Sequence, residues 1–274
     1  MQALAERLDD VVSGRVLDRV DQLSFSSLKT YAPPVEDLYG QILESVGRRA
    51  KYLVWTFPGG VRIVLHLSQA GRVDIESPAK TTRPRGSVAR FTFSGDAILL
   101  REYGSQRKAS WWVLAAGDDG PLAGLGPEPD SPAFAEFIRT STSSRRLHTD
   151  LRDQHVVAGI GRGWGDDLLH RARLSPFATL GSLTSEERER LLTATTTVLA
   201  EALDLERTRT GGLSEAKLGG RFAVHGKFGQ PCPTPGCGDD MRRVSYESYE
   251  MTYCATCQTA GKVLADRRLS RLLK

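Results

Sequence analysis

Asp153-Gln154-His155-Val156-Val157-Ala158-Gly159-Ile160-Gly161-Arg162-Gly163-Trp164-Gly165-Asp166 joins two stretches of helical periodicity. The apolar spacing predicts helices over Arg152–Ala158 and Trp164–Ala172. Four glycines fall in the seven residues from Gly159 to Gly165, so the backbone can turn tightly there and come close to another molecule. A helix that starts at such a turn points unsatisfied N–H groups outward, which suits a phosphate. Arg152, Arg162 and Arg171 bring cations nearby. The same residues equally describe a plain flexible glycine-rich loop, and residue types alone fit both.

Downstream, Thr184-Ser185-Glu186-Glu187 opens the longest predicted helix, which runs to about Arg207 with acids in its first turn. Residues 208–231 are rich in glycine and basic side chains, and all four cysteines follow. Cys232-x4-Cys237 and Cys254-x2-Cys257, with 16 residues between the pairs, have the spacing of two knuckles that close one tetrahedral thiolate site. Pro233, Pro235, Gly236 and Gly238 permit the tight turns, and Met241–Tyr253 alternates like a β-hairpin. Four thiolates leave no open coordination position, so the expected cofactor is one structural Zn2+. A module this small depends on the metal to fold. Four free or redox-active cysteines are the other reading of the cluster.

Upstream, Ala115–Asp130 holds four glycines and three prolines and reads as a linker. Before it come short β-like runs, Tyr52–Phe57, Val61–Leu67, Val88–Phe93 and Trp111–Leu114, broken by Pro58-Gly59-Gly60, Arg83-Pro84-Arg85-Gly86 and Ser94-Gly95. They predict a sandwich or barrel-like sheet domain, preceded by a helix over Gln2–Val12. Ser131–Thr140 begins the helical region. The fold class is therefore α+β: a β-sandwich with a flanking helix, a helical domain and a zinc-finger hairpin.

The chain of 274 residues is 40% hydrophobic and 26% charged, which excludes collagen-like and wholly disordered classes. It lacks a signal-peptide pattern and any transmembrane-length apolar run, so no membrane partner is expected and the cytoplasm is the expected location. The net charge of +4 is uneven. Residues 45–108 carry 12 basic against 4 acidic side chains, and residues 207–274 carry 12 against 6. A polyanion held between two basic segments fits this pattern, as do solvated charges scattered over several faces.

Several of these stretches together resemble the formamidopyrimidine-DNA glycosylase and endonuclease VIII family. Asp153–Gly161 followed by Leu169-His170-Arg171-Ala172-Arg173-Leu174-Ser175-Pro176 is similar to its helix–two-turn–helix. Val224-His225-Gly226-Lys227-Phe228-Gly229-Gln230-Pro231-Cys232 and Tyr253-Cys254-Ala255-Thr256-Cys257-Gln258 resemble its zinc finger. Arg49-Ala50-Lys51-Tyr52-Leu53 and His66-Leu67-Ser68-Gln69-Ala70-Gly71 resemble two N-terminal motifs, in family order. The resemblance spans essentially the whole chain. It implies a catalytic-type sandwich over 1–115, a linker over 116–130, a DNA-binding helix–two-turn–helix domain over 131–225, and a finger with a basic tail over 226–274. It further implies a monomeric base-excision-repair glycosylase and abasic-site lyase that flips an oxidised base out of duplex DNA and attacks C1′ of its sugar through an N-terminal amine. Expected DNA contacts are Lys51, His66, Arg107, Lys108, Gly161, Arg162 and Lys227, with Lys51 beside the lesion phosphate and Arg162 where the family has asparagine.

The sequence departs from that pattern in places. The family's Pro-Glu-Leu-Pro-Glu-Val start supplies the proline nucleophile and the glutamate acid/base; this chain reads Met1-Gln2-Ala3-Leu4 from within the first helix, so the catalytic residues are not among those present. Where the family wedges Met, Arg and Phe into the gap left by the flipped base, this chain offers Gln69, Arg107 and Lys108. The arginine of the finger hairpin corresponds to Tyr249, and Lys262, Arg267, Arg268, Arg271 and Lys274 make a basic tail that could replace it. Three functions follow: a glycosylase-lyase whose start lies further upstream, a catalytically silent damaged-DNA binder of the same fold, or a zinc-ribbon nucleic-acid binder unrelated to repair. Met1 stands where the family has valine, whose codon can serve as a bacterial start, so the sequence upstream of Met1 discriminates the first two.

Overall fold

The computed structural model describes residues 1–104, 108–209, 220–246 and 249–266. These form two compact units. The first holds the described residues up to 124 together with 206–209, and the second holds the remainder. Among the described residues, no helix is long and apolar enough to cross a membrane.

The first unit is a sandwich of two four-stranded sheets with α1 (Gln2–Val12) alongside. One sheet orders β1 (Leu17–Gln22), β6 (Ser87–Phe93), β7 (Asp96–Glu102) and β5 (Gly71–Glu76); the other orders β2 (Ser45–Arg49), β3 (Tyr52–Thr56), β4 (Arg62–His66) and β8 (Ser110–Leu114). In β3, Leu53 and Trp55 point inward while Tyr52, Val54 and Thr56 are half-buried, the alternation of a sheet with one face on the core. Trp55, Phe91, Phe93 and Trp111 meet mostly edge to face at its centre, with ring centroids 4.9–5.7 Å apart. Ser94 and Gly95, both at positive φ, make the tight turn between β6 and β7. Asp9 ties α1 to the sheet: its Oδ1 accepts from the Val46 N–H at 2.6 Å and from the Ser13 hydroxyl at 2.5 Å. Strands β1, β2 and β5 escape the sequence reading because charges interrupt their apolar periodicity, as in Ser45-Val46-Gly47-Arg48-Arg49; β7 escapes it too, although its Ala97–Leu100 run is apolar throughout.

The second unit is helical and carries the hairpin. Ser131 caps α2 (Pro132–Thr140), accepting from the Phe134 N–H. Thr184 and Glu187 form the expected reciprocal capping box at the head of α5 (Ser185–Thr208). Strands β9 (Met241–Tyr246) and β10 (Tyr249–Cys254) pair antiparallel and lead into α6 (Ala255–Thr259). One expectation is corrected. No helix spans Arg152–Ala158; α3 runs over Leu147–Arg152 and α4 over Arg162–Arg171. Side chains replace the helical bonds between them: Asp153 Oδ1 accepts from the His155 N–H, and the Gln154 amide bridges the Gly159 N–H and the Ile160 carbonyl. Val157 and Ala158, which suggested a helix, are buried from a turn instead, as is Ile160 beyond them.

Candidate nucleic-acid interface and metal centre

Gly161 is the N-cap of α4 and Gly159 has φ of +90°, so these two glycines build the turn. Gly163 and Gly165 lie inside α4 and serve packing, a correction to the view that all four make the turn. A Cβ on Gly163 would stand 2.4–2.8 Å from the Phe222 ring, and one on Gly165 would stand 3.3–3.4 Å from His148. Arg162 is exposed at the first position of the helix, beside N–H groups that have no intrahelical acceptor. Of the other two expected cations, Arg171 is paired with Glu201 at 2.8 Å, and Arg152 lies over the Tyr249 ring at 3.3 Å.

The buried face of α4 carries two acids whose roles sequence reasoning missed. Asp167 accepts from the N–H groups of Ala223, Val224 and His225 at 2.7–3.1 Å. Burial raises its pKa, and those three donors oppose the rise. Asp166 accepts from the Thr252 N–H at 3.0 Å, holds His225 Nδ1 at 2.6 Å and faces His148 Nε2 at 3.3 Å. The helix that begins at the glycine turn is thereby fixed to the segment leading into the cysteines. An Asp-Asp pair within an otherwise buried helical stretch is the only sequence signal for this.

Cys232, Cys237, Cys254 and Cys257 converge, with all four sulfurs within 4.8 Å of one another. The closer pairs stand at 3.4–3.8 Å. Zn–S bonds of about 2.3 Å in a tetrahedron imply sulfur separations of about 3.8 Å, so the cluster can hold a metal of that size. Asp239 braces the second knuckle by accepting from the Thr256 N–H and hydroxyl at 3.0–3.1 Å. Burial pushes the Cys254 thiol up, and a bound metal ion would oppose that shift by favouring the thiolate. His170 from α4 was not foreseen either: its Nε2 lies 3.3 Å from Cys232 Sγ.

In the first unit, Lys51 follows Ala50, which turns the chain between β2 and β3 at φ of +53°. Tyr52 and His66 face each other across β3 and β4 with ring centroids 4.8 Å apart, and Trp112 closes on Tyr52 at 6.0 Å. Burial first, and the Lys51 charge second, lower the His66 pKa and favour the neutral imidazole. Lys108 is exposed while its backbone N–H is bonded to the Glu102 carboxylate at 2.8–2.9 Å. Lys227 is half-buried in a turn set by Gly226 at φ of +74°. Arg107 and the tail cations Arg267, Arg268, Arg271 and Lys274 lie outside the described residues.

Residues 1–111 match the family model of the formamidopyrimidine-DNA glycosylase N-terminal domain, and residues 125–213 match that of its H2TH domain. The chain belongs to the formamidopyrimidine-DNA glycosylase family. Among family relatives, the formamidopyrimidine-DNA glycosylase of Thermus thermophilus is 36% identical over 232 residues, covering 81% of this chain and 84% of that one. An uncharacterized formamidopyrimidine-DNA glycosylase-like protein of Mycobacterium tuberculosis is 45% identical over 166 residues, covering 58% of this chain and 99% of the other. The fold is that of the Lactococcus lactis enzyme solved in complex with DNA containing an abasic site, at a TM-score of 0.81 and 20% identity over 94% of this chain and 97% of that one. Within the family, the α+β architecture and the four-cysteine hairpin are as the sequence led us to expect.

Proposed function

We propose that this chain is a base-excision DNA glycosylase and abasic-site lyase that grips damaged duplex DNA by its phosphates. The observation that carries the reading is the glycine turn at the head of α4. Arg162 stands exposed there at the first position of the helix, whose other face Asp166 and Asp167 fix to the lead-in of the cysteine hairpin. Phosphate contacts place a protein on DNA without reading sequence. Lys51, His66, Lys108, Gly161, Arg162 and Lys227 are the contacts we assign, with Arg107 as a further candidate. Relatives named as formamidopyrimidine-DNA glycosylases favour an enzyme over a silent binder of this fold.

The cysteine cluster holds one Zn2+ in this reading. With four thiolate ligands the ion has no open position, so it supplies folding energy and no Lewis-acid chemistry. The protein acts as a monomer in the cytoplasm. Binding is tested by fluorescence anisotropy with a duplex carrying an abasic-site analogue and with its intact counterpart, each over a salt series. About six phosphate contacts predict on the order of a thousandfold loss of affinity between about 50 and 200 mM salt. Salt-independent binding, or equal binding to bovine albumin-coated controls and DNA, would sink the proposal.

A further inference from the structure

Helix α4 runs ten residues from the glycine turn, and its last buried side chain is His170, only 9% exposed. The imidazole Nε2 stands 3.3 Å from Cys232 Sγ. We propose that His170 is the outer hydrogen-bond donor of the metal centre, positioning the Cys232 thiolate and slowing loss of the ion. This rests on the metal reading above. A thiolate that ligates a metal carries lone pairs and no proton, so the N–H must belong to Nε2. Donation to the sulfur offsets part of its charge and makes it harder to protonate, and protonation is the step by which a ligand leaves.

The other sulfurs find their donors inside the finger. Cys254 Sγ accepts from the Cys257 N–H at 3.4 Å, and Thr234 serves Cys257. Cys232 is served from outside, by a helix already bound to the finger through Asp166 and Asp167. His170 thus makes the far end of α4 part of the metal's surroundings. In geometry it is a positioning residue: it touches a ligand and does not join the cluster, whose members are the four cysteines.

The test uses the full chain loaded with zinc and challenged with a chromogenic chelator. Removing an outer partner of a metal ligand weakens binding about 10- to 100-fold. His170→Phe, which keeps the ring volume but not the donor, should release zinc faster by that factor. His170→Gln, whose amide N–H reaches a similar distance, should restore most of the retention, which a purely space-filling role would not do. On the unmodified chain loaded with cadmium, a through-bond NMR coupling between the His170 Nε2–H and the metal should appear. Zinc retention by His170→Phe equal to the unmodified chain overturns the inference. Should that variant not fold, absence of the cadmium coupling does so instead. If the unmodified chain takes up neither metal, the metal reading falls first and this one with it.

Discussion

Arg162 is exposed and sits at the first position of its helix, so its removal should leave the fold intact and act on DNA alone. Arg162→Ala should weaken every duplex by a similar factor and lower the magnitude of the salt slope by about 1. A loss confined to one lesion, measured by anisotropy on several duplexes, would contradict a phosphate contact. Glu6 gives a second test at this scale. The Arg207 guanidinium, bonded to both its oxygens at 2.8–2.9 Å, lowers its pKa from 4.5 to about 2, with help from Gln2. A depressed carboxylate contributes stability that is present above the unfolded value and lost as pH falls from about 4.5 toward 2. NMR titration should show Glu6 titrating below the ordinary carboxylate value, and Arg207→Ala should return it toward 4.5. The pair is on the surface, so the thermal stability of that variant should change little.

Helix α4 shows two opposing effects at the scale of an element. Replacing Gly163 with Ala gains about 1 kcal/mol of helix propensity. The added Cβ, however, would lie 2.4–2.8 Å from the Phe222 ring, whose movement is opposed by Trp164 and His225 packed on it at 4.8 and 5.1 Å. Overpacking costs about 1–3 kcal/mol, so the net effect should be a loss. A lower melting temperature for Gly163→Ala, recovered in part by adding Phe222→Leu, is the expected calorimetric result; a rise would show that the ring yields. In the hairpin, Cys254 is fully buried among its partners. Cys254→Ser should leave three thiolates, release zinc to a chelator and unfold the finger, seen as loss of bound metal and of duplex affinity together. Metal analysis finding no zinc in fresh protein would end the idea.

At the scale of the whole molecule, the remaining question is chemical. An amine must lose its charge before it can attack C1′, and the phosphate partner we assign to Lys51 would hold its amine protonated. Lys51→Ala should therefore weaken duplex binding while borohydride still traps a covalent complex with abasic-site DNA. Loss of trapping in that variant, at DNA concentrations that saturate binding, would show that Lys51 is the nucleophile.

Local chemistry was legible from the residues themselves. The knuckle spacing of the four cysteines, the Thr184–Glu187 cap, the Gln2–Val12 helix and the hairpin each depend on neighbours in the chain, and the structure contains all of them. Charged strands such as β2 were not legible, since their place is set by pairing with β3 and not by their own apolar pattern. Nor was the turn after α3, where the Asp153 and Gln154 side chains outcompete the helical bonds that the apolar spacing suggested. Tertiary structure alone decided what the buried face of α4 does. Asp167 meets Val224 across 57 residues, His170 meets Cys232 across 62, and Asp166 meets Thr252 across 86. A buried polar group must find a partner wherever the fold brings one, so its role is fixed by proximity in space, which sequence spacing does not encode.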